Sequence, residues 1–245
     1  MPHNDSDSSE QSFVSHLVEL RDRLLKVVAF ILVVFLCATP FANDIYTFLA
    51  GPLLKHLPAN STMIATDVAS PFFTPFKLAL VGSIFVSVPV ALFHFWAFVA
   101  PGLYSHEKRL VFPLLFASTS LFYLGVVFAY FVVFPLVFGF LTAAAPEGVA
   151  VMTDIAKYLD FVLTLFFAFG ISFQVPIITI VLILTGITTR ESLIEKRPYV
   201  IVAAFVIGMF LTPPDAISQT LLAIPIWLLF ESGLLFSLLL THKSK

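Results

Sequence analysis

Residues 110–141 read LVFPLLFASTSLFYLGVVFAYFVVFPLVFGFL, a run of 32 residues that contains no charged side chain. An α-helix of about 20 apolar residues crosses the roughly 30 Å of hydrocarbon in a membrane, so this run is long enough to span it with tilt or overhang. Backbone groups in lipid must be hydrogen-bonded within the protein, and the alternating pattern typical of a membrane barrel is absent here. The stretch therefore predicts a membrane-spanning helix.

Five further apolar stretches extend this interpretation to the whole chain. They lie at approximately 24–42, 76–100, 159–186, 199–212 and 217–240. Hydrophobic residues make up 59% of the 245 residues and charged residues 11%, against about 45–50% and about 25% in an average soluble domain. The sequence thus predicts an all-α polytopic membrane protein, with six transmembrane helices in a single membrane domain, 1–245.

Two short segments precede the first span. Residues 1–12 are polar and are predicted to be disordered, whereas 13–23 are predicted to form a cytoplasmic amphipathic helix. Apolar side chains at positions 13, 17, 20 and 24 make one stripe, while His16, Glu19 and Arg23 share another face. Periodicity alone favours an interfacial helix that orients the first span over a binding helix, and both interpretations stay open.

Basic residues determine the predicted orientation. With the N-terminus in the cytoplasm, ten of the 13 lysine and arginine residues fall in cytoplasmic segments, and only Lys55, Lys77 and Lys157 fall on the opposite side. Because Lys and Arg concentrate in the cytoplasmic loops of membrane proteins, we expect both termini of this multi-pass chain in the cytoplasm.

Composition and motifs disfavour several function classes. The net charge of −2 leaves no basic excess for nucleic acid, and the single cysteine, Cys37, allows no internal disulfide. His106-Glu107 begins like a zinc-protease motif, but residue 110 is Leu instead of His. The sequence also lacks G-x-S-x-G and Walker motifs. We therefore expect no enzyme activity, no catalytic residue, no metal and no cofactor.

Two carboxylates in the predicted cytoplasmic segments are candidates for binding. In the loop 104–109, the basic residues Lys108 and Arg109 suffice to hold the loop on the cytoplasmic side of the membrane. Glu107 is then left without a structural role. Glu19 and Glu107 could each accept the planar fork of a guanidinium group. The spacing of the sequence does not by itself bring them together.

Polar residues within or beside the spans have competing explanations. Gln174 either holds the bundle together by an interhelical hydrogen bond or has a functional role, and Glu231 either lies near the interface or is functional. Asp215 follows two prolines, and a helix cap explains it better than a direct contact. Prolines 113, 135, 176 and 225 predict kinks and a curved bundle.

Several ordered segments together give the chain a family resemblance. They are His16-Leu-Val-Glu-Leu-Arg-Asp-Arg-Leu24, Ser70-Pro-Phe-Phe-Thr-Pro-Phe-Lys77, Trp96-Ala-Phe-Val-Ala-Pro-Gly-Leu-Tyr-Ser-His-Glu-Lys-Arg109, Phe128-Ala-Tyr-Phe-Val-Val-Phe-Pro135, Lys196-Arg-Pro-Tyr199, Leu211-Thr-Pro-Pro-Asp215 and Ser218-Gln-Thr-Leu-Leu-Ala-Ile-Pro225. In order and spacing they resemble the TatC family of twin-arginine translocase subunits, of the gammaproteobacterial type. The resemblance implies a six-helix fold shaped like a cupped hand, with both termini inside.

The resemblance also implies a function. It implies a core receptor in the bacterial inner membrane that binds twin-arginine signal peptides of folded proteins. Export would be driven by the proton-motive force, in an oligomeric complex with TatA- and TatB-type single-span subunits. Carried onto this sequence, it places signal-peptide binding on Glu19 and Glu107, with Arg21 nearby. It makes four positions functionally sensitive, namely Pro52, Phe72, Phe98 and Asp215, and it places partner contacts on the last two spans at Met209, Thr212 and Gln219.

One position departs from the family pattern. Many members carry glutamate where this chain has Gln174, and an amide does not titrate. A hydrogen-bonding role toward a partner helix survives that change, whereas a role that needs protonation does not. The alternatives to a translocation receptor are a secondary solute transporter, suggested by kinked spans and intramembrane polar groups, and an intramembrane protease, which lacks a nucleophile–base pair here.

Overall fold

The computed structural model describes residues 5–56, 63–99, 111–143, 152–211 and 216–241. Regular structure in these ranges is helical, apart from one isolated bridge between Ile64 and Asp154. The α-helices are α1 (Asp5–Ala38), α2 (Ala42–His56), α3 (Ser70–Val99), α4 (Val111–Phe128), α5 (Phe134–Ala143), α6 (Ile155–Ser172), α7 (Val175–Leu184), α8 (Arg190–Glu195), α9 (Arg197–Leu211) and α10 (Ala216–Thr241).

Helix α1 joins the predicted amphipathic segment and the first span in one element. It begins at Asp5, so 5–12 are helical where the sequence analysis expects disorder. Neither Pro nor Gly interrupts the helix before its end. Helix α1 is followed by a short 3₁₀ turn, Thr39–Phe41, which contains Pro40 and leads into α2.

Two of the predicted spans are interrupted at prolines, as the sequence indicates. Between α4 and α5 a π-helical turn, Ala129–Val133, precedes Pro135, which has no N–H for the helical ladder. The chain also breaks between α6 and α7, where Pro176 occupies the first turn of α7. Each break lies within an apolar stretch that is long enough to cross a membrane.

Proline does not interrupt α3, although Pro75 and Pro89 both lie inside it. Pro89 provides no N–H for the carbonyl of Phe85, four residues earlier. The hydroxyl of Tyr123 in α4 donates to that carbonyl at 3.0 Å. A side chain from the neighbouring helix thus replaces the hydrogen bond that proline removes, which lets α3 continue.

Within the described ranges, four helical stretches are long and apolar enough to cross a membrane. They are Ser15–Gly51, Ser70–Phe98, Val111–Phe140 and Ile155–Leu184. The apolar parts of the last two helices, Arg197–Phe210 and Leu222–Leu238, are shorter. At 1.5 Å per residue, the first of these two reaches only about 21 Å, less than the roughly 30 Å of hydrocarbon.

The main core surrounds α6. Leu159, Val162 and Leu165 of α6 have no exposed surface, and neither do Phe134 and Val137 of α5. Helices α4 and α6 cross closely because both carry glycine at the crossing. A Cβ atom at Gly125 would lie 2.6 Å from the carbonyl oxygen of Phe169, and one at Gly170 would lie 2.5 Å from the ring of Phe122. Small residues permit this approach of the two backbones.

Helix α1 lies outside this core and packs mainly along α3. Leu24, Leu36 and other apolar side chains of α1 are more than half exposed, which suits a surface in contact with lipid. The α1–α3 pair is therefore the part of the fold that positions the first candidate site.

Candidate functional site

The Glu19 carboxylate accepts hydrogen bonds from the guanidinium group of an arginine on the same helix. Arg23, one turn later on α1, donates to Glu19 Oε1 from Nε at 3.0 Å and from Nη2 at 2.5 Å. The side chain of Glu19 is 41% exposed, whereas that of Arg23 is 23% exposed. Glu19 and Arg23 lie on the same face of α1, as the sequence predicts. The carboxylate lies at the surface of the helix, with one oxygen occupied.

The second oxygen of Glu19 faces a histidine. His16 Nδ1 lies 3.8 Å from Glu19 Oε2, too far for a hydrogen bond. The His16 ring stacks on the ring of Phe98, near the end of α3, with 4.1 Å between the ring centroids and 16° between the planes. Phe98 therefore holds the face of α1 that carries Glu19 against α3.

A cavity of about 430 Å³ opens beside this pair. Its lining residues are Ser15, Val18, Glu19, Asp22, Arg23, Lys26 and His94. Polar and charged atoms form much of its surface, unlike the apolar cavity of about 500 Å³ between α4, α7 and α10. The polar cavity between α1 and α3 is thus the candidate site for a charged ligand.

His94 is a part of this site that the sequence analysis missed. Its Nδ1 is buried and has no hydrogen-bond partner within the described residues. The available signal is its spacing: His94 lies four residues before Phe98, so both belong to the same face of α3.

Of the two other residues predicted to bind the signal peptide, the structure describes Arg21 but not Glu107. Arg21 donates to Asp22 Oδ1 from Nε at 3.0 Å and from Nη2 at 2.8 Å. Its side chain is 66% exposed and is not among the residues that line the cavity. Glu107 lies outside the described residues, as do Thr212 and Asp215.

Phe72 lies far from Glu19. It is an exposed residue near the start of α3 and forms an aromatic group with Phe73 and Phe76. At 1.5 Å per residue, the 26 positions between Phe72 and Phe98 correspond to about 39 Å along the helix. The functionally sensitive positions therefore do not form one site.

Pro52 leaves a backbone carbonyl of α2 without its helical hydrogen bond. It lies in α2 and lacks the N–H that would pair with the carbonyl of Phe48. The hydroxyl of Tyr130, in the π-turn between α4 and α5, donates to that carbonyl at 3.3 Å. The hydroxyl of Tyr158 in α6 donates to the next carbonyl, that of Leu49, at 2.9 Å. Two tyrosines thus attach this turn of α2 to the core.

Gln174 forms the interhelical hydrogen bond that the sequence analysis weighed against a functional role. It lies at the break between α6 and α7, and its Nε2 donates to the carbonyl of Ser118 in α4 at 2.9 Å. The hydroxyl of Ser118 accepts a bond from Trp96 Nε1 of α3 at 3.3 Å. Ser118 therefore connects three segments of the bundle at a fully buried position.

Glu231 is paired within the chain. Arg197, at the start of α9, donates from Nη2 to Glu231 Oε2 of α10 at 2.6 Å. This ion pair explains how a carboxylate is accommodated in an apolar helix, and it ties α9 to α10. Gln219 lies where the same two helices cross, since a Cβ at Gly208 would be 3.4 Å from its carbonyl oxygen. Met209, by contrast, is 50% exposed.

Comparison with known proteins identifies the family. A protein-family model described as TatC, Sec-independent protein translocase protein, matches residues 15–225. The chain belongs to the TatC family. TatC of Escherichia coli is 59% identical over 235 residues, which cover 96% of this chain and 91% of the relative. TatC of Haemophilus influenzae is 61% identical over 225 residues, which cover 92% of this chain and 88% of the relative.

A solved TatC structure confirms the fold. The crystal structure described as the twin arginine translocase receptor TatC is 41% identical, with a TM-score of 0.81 over 92% of this chain and 99% of that chain. The predicted family, the all-α polytopic TatC fold and the role as core subunit of a Sec-independent translocase are confirmed. This TatC chain is thus a multi-helix membrane component of a protein transport system.

A hydrogen-bonded aspartate that the sequence analysis missed lies at the start of α6 in this chain. Asp154 caps the helix by accepting hydrogen bonds from the backbone N–H groups of Ala156 and Lys157. Its other oxygen accepts from the hydroxyl and the N–H of Thr66, 88 positions earlier, at 2.6 and 2.9 Å. These bonds, the Thr66 hydroxyl first, hold the pKa of the Asp154 carboxyl well below its usual range. An Asp directly before an apolar helix is the sequence signal for such a cap.

Proposed function

We propose that this chain is the receptor subunit of a twin-arginine translocase and that Glu19 binds an arginine of the signal peptide. The observation that carries the proposal is that Glu19 already holds a guanidinium group, at the edge of an open, charged cavity. The carboxylate is exposed enough for a peptide to reach it, and it lies on a helix that Phe98 holds through His16.

The chemistry of the carboxylate supports arginine over lysine. A guanidinium group presents several N–H donors in one plane and can contact both oxygens of a carboxylate, whereas an ammonium group is a single point charge. Because Glu19 is partly in water, we expect one such contact to contribute about 1 kcal/mol. Glu107 is proposed as the second carboxylate, with Arg21 nearby, so that two arginines meet two acids.

The last two helices are the proposed docking site for TatA- and TatB-type single-span subunits. Apolar side chains of α9 such as Val202, Met209 and Phe210 are half or more exposed, and no described element of this chain covers them. Gln219 and Thr212 would take part in this contact, and Gln174 is proposed to lie within reach of a partner helix. Such subunits would complete an oligomeric complex around the receptor.

The proposed setting is the bacterial inner membrane, with both termini in the cytoplasm. The excess of basic residues in the segments assigned to that side supports this orientation. Transport of folded precursors would draw on the proton-motive force, and the chain would act by binding and assembly without catalysing a reaction. No observation favours the solute transporter over this proposal.

Binding of a labelled twin-arginine signal peptide to the full chain in nanodiscs tests the proposal. Glu19→Gln keeps the shape of the side chain and removes its charge, and we expect about fivefold weaker binding, which corresponds to about 1 kcal/mol. Glu195→Gln is the matched control, because Glu195 is an exposed acid of α8, away from the cavity. Unchanged affinity in Glu19→Gln would contradict the proposed site.

A further inference from the structure

Glu19 is not a vacant acceptor in this structure. Both Nε and Nη2 of Arg23 contact the same carboxylate oxygen, Oε1. We propose that Arg23 is an internal competitor, which occupies part of the place that an arginine of the signal peptide takes on Glu19. This inference rests on the proposed function of Glu19 and assigns a further residue to the same site.

The geometry of the carboxylate makes the two guanidinium groups exclusive. An arginine that binds with its full fork uses both oxygens of the acid. Oε1 is filled by Arg23, and among the residues that the structure describes Oε2 is approached by His16 alone, at 3.8 Å. A peptide arginine can therefore contact Oε2 beside Arg23, but it reaches the two-oxygen arrangement only after Arg23 leaves Oε1.

The burial of Arg23 also favours this role. The side chain of Arg23 is 23% exposed, whereas that of Arg21, two residues earlier, is 66% exposed. Arg23 is therefore packed against the protein as part of the cavity wall. The cavity lining contains a second carboxylate, Asp22, whose Oδ1 is bound by Arg21, so Oδ2 is the acceptor that a displaced Arg23 guanidinium can take. Exchange of one guanidinium for another can thus proceed without exposing Arg23 to an apolar environment.

Competition by Arg23 would lower the affinity of the receptor for the signal peptide. An exposed i,i+4 ion pair on a helix changes an equilibrium constant only modestly, by up to about fivefold. A peptide that must replace this pair binds correspondingly less tightly. Contacts beyond the first arginine then become necessary for stable binding, and release of the peptide becomes easier.

The test is a double-mutant cycle with the same labelled peptide and the full chain in nanodiscs. We expect Arg23→Gln to tighten binding roughly two- to fivefold, whereas Arg23→Lys, which keeps the charge but loses the fork, should have an intermediate effect. In the Glu19→Gln background the Arg23→Gln change should have no effect, because the competed group is gone. Lys196→Gln, which removes one exposed positive charge at the end of α8, is the control for the general effect of charge.

The outcomes separate this inference from the proposed function. Weaker or unchanged binding in Arg23→Gln, together with weaker binding in Glu19→Gln, would show that Arg23 positions Glu19 or is neutral, and would overturn the competitor while leaving the binding site. Tighter binding of Arg23→Gln in both backgrounds would attribute the gain to reduced charge repulsion and would also overturn it. Unchanged binding in Glu19→Gln would overturn the proposed site and the competitor with it.

Discussion

The rings of His16 and Phe98 lie face to face, with 4.1 Å between the centroids and 16° between the planes. This stack joins the turn of α1 that carries Glu19 to the end of α3. His16 also lies beside the oxygen of Glu19 that Arg23 leaves unoccupied. We therefore expect this aromatic contact to help orient the Glu19 carboxylate.

Phe98→Ala should weaken binding of a twin-arginine peptide while the protein still folds. Loss of the stack frees His16 and loosens the packing on α3 of the helical turn that carries Glu19. Aromatic pairs are worth about 0.5–1.5 kcal/mol, so we expect roughly a two- to tenfold loss of affinity. Peptide titration of the protein in nanodiscs measures it, with Phe116→Ala, an exposed phenylalanine of α4, as the control. Equal affinities for the two variants would contradict the role of Phe98.

The apolar segments could be predicted from the sequence because hydropathy acts over whole helices. The breaks within them depend on where the hydrogen bonds lost at proline are replaced. Pro135 and Pro176 accompany a π-turn and a helix break, whereas Pro89 leaves α3 intact because Tyr123 donates to the carbonyl of Phe85. That compensation comes from another helix, so local sequence does not reveal it.

The candidate site could be predicted only in part, for a similar reason. The pairing of Glu19 with Arg23 is a spacing within one helix, and periodicity is sufficient to find it. The contact of His16 with Phe98 and the position of His94 arise from the packing of α1 on α3. His16 is separated from His94 and Phe98 by about 80 residues of sequence, so no rule based on local sequence connects them. Arg21, which the resemblance places near the site, pairs with Asp22, a residue of the cavity lining.

Gln174→Leu should destabilise the bundle. The substitution leaves the carbonyl of Ser118 without the donor that it has at 2.9 Å. Interhelical hydrogen bonds in membrane proteins are worth about 0.6 kcal/mol on average and up to about 1.7 kcal/mol, so we expect a loss in that range. Thermal unfolding in detergent measures it. Thr164→Val is the control, because the Thr164 hydroxyl bonds only within its own helix, to Asp160. An equal loss in both variants would contradict the bridging role of Gln174.

Asp154 should make stability depend on acid pH. Hydrogen bonds from Thr66 and from the first turn of α6 lower its pKa in the folded state. The stabilisation is therefore complete above the ordinary aspartate pKa of about 3.9, and it is lost as the pH falls from there toward the folded pKa. Melting temperatures measured from about pH 7 down to about pH 2 test the effect, because an ordinary aspartate titrates at about pH 3.9 and the folded-state pKa of Asp154 lies well below that.

Asp154→Asn should lower the melting temperature at neutral pH and should flatten its fall in acid, because the amide does not titrate. Asp67→Asn is the matched control, as Asp67 is an exposed acid close to Thr66. If the wild type and Asp154→Asn lose stability in parallel as the pH falls, another group is responsible for the acid sensitivity.

Tyr130→Phe should destabilise the protein by about 1 kcal/mol, because it removes the donor that replaces the N–H missing at Pro52. Tyr199→Phe is the control, since Tyr199 is exposed on α9. The decisive comparison is made in a Pro52→Ala background, where residue 52 regains an N–H for the carbonyl of Phe48. There the Tyr130→Phe change should cost clearly less, and unfolding measurements on the four variants give the coupling directly. The same cost in both backgrounds would mean that Tyr130 stabilises the fold through its ring alone, and that the sensitivity of Pro52 has another cause.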